Sequence, residues 1–554
     1  MTARRTIHVH PSVGAIDPVI GAALARLTPV DFADCPNLAA CKPGDVVLSL
    51  SGAGEVLAQA MRTGLRCFHV AKGAADSTGD KVETRIQFGT GAYLDRLLRG
   101  RRLAHKPLAA PIFVLAEAGD EVLARKGERP VWIHRKTGGG EADIVSVPLP
   151  QLSGEEQPFD YLDGIQFIQL LPVLHFLRQV TEDLAWTRPP LRAGFTFDDP
   201  NLHWPSYGHL SFHELIRLGQ ECNFHSSIAT VPCDAWGANQ GTVNLFKQHP
   251  TQLSLLIHGN DHLRIELGRE LGVEGYRRVL AQSLRRVARL EQKTGLRVER
   301  VLVPPQEALA GDALVAMRGL GFEGASLTPW SIRYWNPKRK WPAAFGLEIT
   351  ERMAGWSPTL PRFKLSDNCE GLMVVAAYLG RPVVSFGHHE TVADGFEMIK
   401  RAAGIINSLG TVRWESPAAM LRSSYLSRRE GATLRLGLQA SRVECVIEAG
   451  VSQVIVESPE RGEEPLLVRV KGAAATGHGP QLGKVMTGSL IQVATGDTVE
   501  FFLPEVGNED FRSVPAPRFT PWALPRRILC ESRDRLRPMW SQWRRSKTVP
   551  ATDS

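Results

Sequence analysis

Adjacent carboxylates and paired histidines follow three separate strand-like runs of this sequence. They are Asp198, Asp199, His258, His262, His388 and His389. The two aspartates end the run GFTFDD, and neighbouring side chains at a strand end point to different sides. One carboxylate can therefore bind a metal ion while the other faces a substrate or water. Taken alone, such a pair is more often a turn or a helix cap.

The histidines His258 and His262 have the spacing of a metal site. They are four residues apart and directly follow the apolar run LSLLI, so both imidazoles can aim at a common point, as zinc and similar ions require. Asp261 lies between them and is a candidate third ligand, or a partner that fixes the tautomer of one histidine. Two histidines alone are as often structural as functional.

The third segment, RPVVSFGHHETVADGF, brings His388 and His389 to the end of another strand. A lone pair of this kind is a weak signal, because capping of the next helix would explain one of its members. Only one of the two can face a common pocket, and Gly387 permits a bulge, so the sequence leaves open which one does. The hypothesis of a functional site is strengthened because all three segments lie at strand ends, and each strand end presents metal-compatible or acid–base groups.

Residues 191–415 supply the elements that must position these groups. Strand-like runs alternate there with longer helical stretches, and this alternation is typical of a parallel β/α barrel or sheet. The clearest helix is predicted over 272–295, where apolar residues recur at helical spacing and the arginines face outward. In such folds the chemistry lies at the carboxyl ends of the strands, which is where the polar groups fall.

The remaining sequence predicts four further segments. An α/β domain of amidotransferase- or Rossmann-like character is expected over 1–150, a connecting helix over 151–190, an all-β sandwich module over 430–505, and a basic, tryptophan-containing tail over 506–554. The run PVWIHRKTGGG resembles the closing strands of class I glutamine-amidotransferase-like domains. No cysteine nucleophile with a following histidine accompanies it, so this resemblance implies the fold alone.

Composition narrows the class of protein. The chain has 554 residues, of which 43% are hydrophobic and 22% charged, so it can bury several cores and disorder is not its default state. A net charge of +7 is a mild excess over this length and does not predict a nucleic-acid partner. The eight cysteines are scattered singly, without the spacing of a disulfide framework or a zinc knuckle.

The ends of the chain bear on its location. The first eighteen residues reach His, Pro and Asp before any continuous apolar stretch, so the h-region of a signal peptide is missing. No run is long enough to span a bilayer. A cytoplasmic location is therefore expected. The basic tail could dock on the protein, on a membrane surface as a peripheral contact, or on a partner, and partial disorder is its plainer interpretation.

Taken together, the three segments resemble the polysaccharide deacetylase superfamily, the NodB homology domain of carbohydrate esterase family 4. The first family motif, TFDD, stands here at 196–199, the second is two histidines four apart, and a later strand ends in a histidine. The resemblance implies an α/β fold with a distorted TIM-type β/α barrel, and removal of acetyl groups from an amino sugar or glycan. It also implies a divalent metal ion, zinc first, with cobalt, nickel or manganese also suited to such ligands.

The same resemblance implies a role for each residue. Asp198 would be the general base, and Asp199, His258 and His262 would be the metal ligands. Either His388 or His389 would be the general acid.

The sequence departs from the family pattern around the motifs. Pro200 follows TFDD where the family has glycine, Gly259 stands where it has serine or threonine, and Val303 stands where it has the arginine that orients the base. Either Arg300 replaces that arginine from one turn away, or the base is tuned differently. The candidate substrate-binding residues in this different pocket are Asn201, His203, Trp204, Asp261 and Pro305.

Two other classes of protein are compatible with parts of the pattern. A catalytically silent glycan-binding or scaffold protein would keep the barrel, but it would tolerate a missing ligand, and all three ligand positions are filled. A glycoside hydrolase would need two carboxylates about 5 to 10 Å apart and no metal. Asp198 and Asp199 are adjacent and fit that pair poorly, and only Glu307 or Glu390 offers a partner at another strand end.

Overall fold

The computed structural model describes residues 3–72, 74–75, 85–107, 112–137, 139–353, 355–457, 465–472, 482–504 and 506–548. Two compact units divide the chain. The first comprises residues 1–186, 340–348 and 368–379, and the second comprises 187–339, 349–367 and 380–554. Within the described ranges, no helix is both long enough and apolar enough to cross a membrane.

Strands and helices alternate through most of the chain. The strands are β1 (Arg5–His10), β2 (Val30–Asp34), β3 (Val46–Ser49), β4 (Arg66–Val70), β5 (Ala74–Ala75), β6 (Arg85–Phe88), β7 (Arg102–Ala104), β8 (Ile112–Phe113), β9 (Glu121–Lys126), β10 (Arg129–Thr137), β11 (Gly140–Val145), β12 (Leu191–Asp198), β13 (Ser206–Tyr207), β14 (Leu210–Ser211), β15 (Ser226–Thr230), β16 (Leu253–His258), β17 (Val301–Val303), β18 (Gly324–Leu327), β19 (Thr359–Pro361), β20 (Phe363–Lys364), β21 (Val383–Gly387), β22 (Val412–Trp414), β23 (Tyr425–Glu430), β24 (Thr433–Leu438), β25 (Arg442–Val446), β26 (Gln453–Glu457), β27 (Leu466–Lys471), β28 (Leu482–Val485), β29 (Leu490–Gln492) and β30 (Thr498–Phe502). The helices are α1 (Pro18–Leu27), α2 (Gly54–Thr63), α3 (Leu171–Val180), α4 (Phe212–Glu221), α5 (Gln240–Gln248), α6 (Gly272–Thr294), α7 (Gly311–Gly319), α8 (Pro329–Trp335), α9 (Glu370–Leu379), α10 (Glu397–Asn407), α11 (Pro417–Arg422) and α12 (Ala523–Thr548).

The first unit is built on a mixed sheet. Its strand order is β2-β1-β3-β4-β11-β10-β9-β6-β7, with parallel pairing from β2 to β11 and antiparallel pairing from there to β7. Helices α1 and α2 connect its parallel strands, as the predicted βα alternation requires. The helix expected over 151–190 is observed as α3, whose residues from Leu171 to Leu177 are all buried.

The second unit contains a parallel sheet that curls into a nearly closed barrel. Its strand order is β19-β18-β17-β16-β15-β12-β21-β20, and β22 pairs with the start of β12. Every pairing in this sheet is parallel. The edge strands β19 and β20 are separated in the chain only by Arg362, so the two edges of the sheet must approach one another. The predicted β/α barrel is confirmed.

Helix α6 shows how the barrel helices cover the sheet. Its buried apolar side chains recur every three or four residues, so they share one face. The helix ends at Gly295, whose φ of 67° is the left-handed conformation that glycine adopts readily. The predicted stripe is confirmed, and its members are Tyr276, Leu280, Leu284, Val287 and Leu290.

The all-β module consists of two four-stranded sheets. Their orders are β23-β24-β26-β29 and β25-β30-β27-β28. Both sheets contribute to one apolar cluster, with Leu436 and Val454 from the first sheet and Val443 and Phe501 from the second. Alternate residues of each strand point into this shared core, which is the arrangement of a β-sandwich.

Candidate functional site

A carboxylate and two imidazoles converge at the carboxyl edge of the barrel. Asp199 directly follows β12, His258 ends β16, and His262 lies in the loop after β16. Their ligand atoms all lie within 4.8 Å of one another. The Nε2 atom of His262 is 3.0 Å from Asp199 Oδ1, and that of His258 is 3.7 Å from the same oxygen. The three residues that the sequence predicts as metal ligands therefore meet at one point.

The backbone at this point adopts uncommon conformations. Asp199 has a φ of 85° and His262 a φ of 53°, both in the left-handed region that non-glycine residues seldom occupy. Gly259 also has a positive φ, and a Cβ atom there would lie 2.2 Å from Glu266 Oε1 and 2.5 Å from Pro305. The serine or threonine that the family has at this position would not fit here.

The protonation states of His258 and Asp199 suit a divalent ion. The Nδ1 atom of His258 bonds the carbonyl oxygen of Val303 at 2.9 Å, which leaves Nε2 to face Asp199. Burial lowers the pKa of His258 to about 4, so its ring is neutral near pH 7. Burial acts to raise the pKa of Asp199, but His262, His258 and Arg527 together outweigh it, and that pKa lies well below its usual range. A carboxylate with two imidazoles is a donor set that zinc and similar ions bind, so these residues fit the metal.

The adjacent carboxylate, Asp198, is held by a different partner. The guanidinium of Arg362 donates two hydrogen bonds to it, at 2.9 and 2.7 Å, and a further bond of 2.8 Å to Glu307. Burial acts to raise the pKa of Asp198, but Arg362, His258 and His388 together outweigh burial and the pKa is lowered. Arg300, the candidate replacement from the sequence, instead pairs with Glu291 at 2.7 Å. That alternative is wrong, and Arg362 is the arginine that orients Asp198.

The histidines His388 and His389 diverge at the end of β21. Phe386 lies opposite Thr196 in the sheet, and its ring packs under Arg362 at 4.0 Å, so this side of β21 is the side of Asp198. His388 is two residues further along, and its charge contributes to lowering the pKa of Asp198. His389 is buried on the other side, with its ring centroid 5.6 Å from that of Tyr207.

Comparison with known proteins gives likenesses among solved structures. No protein-family model matches the chain, and no curated protein matches it. A family 4 carbohydrate esterase from Streptomyces lividans is 13% identical over 40% of this chain and 89% of its own, with a TM-score of 0.25. A peptidoglycan deacetylase from Bacillus subtilis is 11% identical over 42% and 90%, with a TM-score of 0.25. A CE4 family pseudoenzyme from Bacillus anthracis is 11% identical over 41% and 66%, with a TM-score of 0.24.

Likenesses with such low identities and TM-scores say nothing about the chemistry of this chain, which its own geometry must support. The TFDD motif ends a strand of a parallel barrel, and both histidines of the second motif meet its second aspartate. The barrel resembles a divergent NodB-like deacetylase domain. The arginine that bonds Asp198 comes from the junction of β19 and β20 rather than from the end of β17.

The candidate substrate-binding residues of the deacetylase-like barrel differ in their surroundings. Asn201 is buried, Trp204 is exposed, and Pro305 is buried in the turn after β17. His203 bonds Glu531 at 2.9 Å through Nδ1 and the carbonyl oxygen of Asp234 at 2.9 Å through Nε2.

Asp261 does not make the contacts expected of a metal ligand or of a partner that fixes the tautomer of a histidine. Its carboxylate lies 2.6 Å from Arg286, away from the metal group, and His258 takes its tautomer from Val303.

Helix α12 brings charged side chains from the tail to the site. Arg527 pairs with Asp234 at 2.6 Å, and its Nη1 lies 3.7 Å from Asp199 Oδ1. Asp534 accepts a hydrogen bond from Tyr207 at 3.0 Å and lies 3.7 Å from His389. Docking of the basic tail on the protein was one of the alternatives left open by the sequence, but no motif indicated these particular contacts.

Proposed function

We propose that the chain is a divalent-metal hydrolase that removes acyl groups, acetyl foremost, from an amino sugar or glycan. The observation that supports it most is the convergence of Asp199, His258 and His262 within 4.8 Å. Three protein ligands leave coordination positions open for a water molecule and a carbonyl oxygen. Beside them, Asp198 is an ionised carboxylate fixed by Arg362. The ligands and the acid–base groups that acyl hydrolysis requires are thus next to one another.

In the proposed reaction, one side chain accepts a proton and another donates one. A divalent ion, zinc first, with cobalt, nickel or manganese also suited, would polarise the acyl carbonyl and lower the pKa of water. Asp198 accepts the proton of the water that attacks the carbonyl carbon. When the carbon–nitrogen or carbon–oxygen bond breaks, His388 donates a proton to the departing amine or alcohol. Acetate and a free amino or hydroxyl sugar remain.

Asp198→Asn tests the base. The amide keeps the shape of the side chain but cannot accept the proton, so acetate release from N-acetylated glycans should fall by on the order of a hundredfold or more. Metal content should be unchanged, because Asp198 is not among the ligands. A variant that keeps both its metal and most of its turnover would remove Asp198 from this role.

His388 is the proposed acid because it lies on the Asp198 side of β21, whereas His389 packs against Tyr207. Measured with saturating metal, His388→Ala should lower turnover by on the order of a hundredfold, as loss of a general acid does. His389→Ala is the matched control and should act mainly on stability, through its contacts with the buried Asp534. The opposite pattern would transfer the role to His389, and normal turnover in both variants would leave the mechanism without an acid.

A catalytically silent glycan-binding or scaffold protein is the alternative. The observation that favours it is Arg527, whose guanidinium lies 3.7 Å from the candidate ligand Asp199. A fixed positive charge there opposes binding of a cation. The protein should be loaded in turn with each of the four metals. Glycan binding without acetate release in every case would support this alternative and exclude the hydrolase.

A further inference from the structure

The segment around α12 carries an unusual concentration of exposed apolar side chains. Eighteen large apolar side chains are exposed among the described residues, and six of them lie within the eighteen positions from 519 to 536. A third of these exposed apolar side chains thus lies on one short segment. The six, which we call the tail surface, are Phe519, Trp522, Leu524, Ile528, Leu529 and Leu536.

The polarity of α12 is the reverse of that of an ordinary surface helix. Arg527 and Asp534 are buried, and Glu531 is 14% exposed, so these three charged side chains face the barrel. Leu529, at 59% exposed, and Leu536, at 46%, lie one heptad apart on the opposite side. A helix normally turns its apolar face to the protein core. The barrel therefore leaves the tail surface without a covering.

Within residues 515–537 the exposed charges are all positive, and one of them, Arg537, pairs with the exposed Glu390. Between residues 515 and 537, no carboxylate is exposed, since Glu531 and Asp534 face inward. The exposed cationic residues are Arg518, Arg533 and Arg537. The sequence beyond them adds Trp540, Trp543, Arg544, Arg545 and Lys547, whose side chains lie outside the described residues.

We infer that the tail surface docks on an anionic phospholipid bilayer. A helix that lies in the interface of a membrane combines leucine, isoleucine and aromatic side chains on one face with flanking arginines. Tryptophan favours the headgroup level, as Trp522 would require, and arginine can keep its guanidinium among headgroup phosphates while its stem lies on apolar surface. The exposed side chains of α12 match this composition, and the chain as a whole carries a net charge of +7. None of the six side chains of the tail surface belongs to the candidate metal site, although α12 also carries Arg527 to within 3.7 Å of Asp199.

Sedimentation of the full-length protein with lipid vesicles tests the inference. Binding is expected to vesicles of phosphatidylcholine mixed with phosphatidylglycerol, and weaker binding to phosphatidylcholine alone or at high salt. The double variant Leu529→Glu with Leu536→Glu should weaken binding to the mixed vesicles by on the order of a hundredfold, since two side chains can no longer be buried. Both residues are exposed, so the fold should tolerate the change.

The matched control is Val446→Glu with Leu490→Glu, two residues of the β-sandwich that are 63% and 48% exposed. It changes the net charge equally and should bind vesicles like the wild type. Failure of the wild-type protein to bind mixed vesicles would overturn the inference, and so would equal binding by the two double variants. A lipid-free dimer of the wild type that Leu529→Glu with Leu536→Glu dissociates, without vesicle binding, would instead identify the tail surface as an interface between copies.

Discussion

Two adjacent carboxylates of the barrel differ in role because their neighbours differ. Asp198 ends β12 in regular strand geometry and faces Arg362, while Asp199 turns into the left-handed region and faces the histidines. Each carboxyl has its pKa lowered below its usual value by these neighbours. The strained backbone at Asp199 thus separates the proposed ligand from the proposed base within two consecutive residues.

Arg362 is a positioning residue whose removal should change the pH dependence of activity. The depressed pKa of Asp198 contributes stability above its unfolded-state pKa, and this contribution is lost as pH falls through the folded-state pKa. Arg362→Gln removes the buried partner of Asp198 and Glu307, so the free energy of unfolding should drop by about 3–5 kcal/mol. The acid limb of kcat/KM should move to higher pH, because the pKa of Asp198 would rise.

Arg300→Gln is the control for this variant, because Arg300 pairs with Glu291 instead. It should leave the pH profile of kcat/KM unchanged. The two proteins should be compared at the same metal content. If the acid limb of kcat/KM lies at the same pH in the wild type and in Arg362→Gln, the positioning role is contradicted and Arg362 has a structural role only.

At the scale of the element, α12 is attached to the barrel through ionic pairs. His203 and Glu531 form one of them, at 2.9 Å. Burial acts to lower the pKa of His203, but the bond to Glu531, the charge of Glu531 and the contacts with Asp234 together outweigh it, so the pKa is raised above 6.5. Despite burial, the bonds from His203 and Arg535 lower the pKa of Glu531 to about 2, so this carboxylate is ionised throughout the range in which the histidine titrates.

The attachment of α12 should therefore weaken at alkaline pH. A raised pKa contributes stability that is complete below the unfolded-state value of about 6.5 and is lost as pH rises through the folded-state pKa. Amide hydrogen exchange, corrected for its intrinsic pH dependence, should show lower protection of α12 at about pH 8.5 than at about pH 6. His203→Gln should abolish the difference. A protection that does not vary with pH in the wild type would contradict this attachment.

Across the whole molecule, the sequence predicted features that depend on neighbouring residues. It missed contacts between residues that are far apart in the chain. The strand ends at Asp198 and His258 were predictable because strand patterning and motif spacing lie within a few residues. Arg362 was not, because it meets Asp198 across 164 positions and belongs to a short segment without a motif of its own. Arg527 meets Asp234 across 293 positions. For His388, the phase of the strand end depended on the register with β12, which only the folded sheet supplies.

The metal content of the purified protein tests the central claim most directly. The site formed by Asp199, His258 and His262 should bind about one divalent ion per chain, and loss of one of three ligands should lower the affinity by several kcal/mol. His258→Ala, dialysed against limiting zinc with the wild type, should therefore be nearly metal-free while remaining folded. His213→Ala, which removes an exposed histidine outside the site, should keep its metal. Equal metal content in the wild type and His258→Ala would contradict the account.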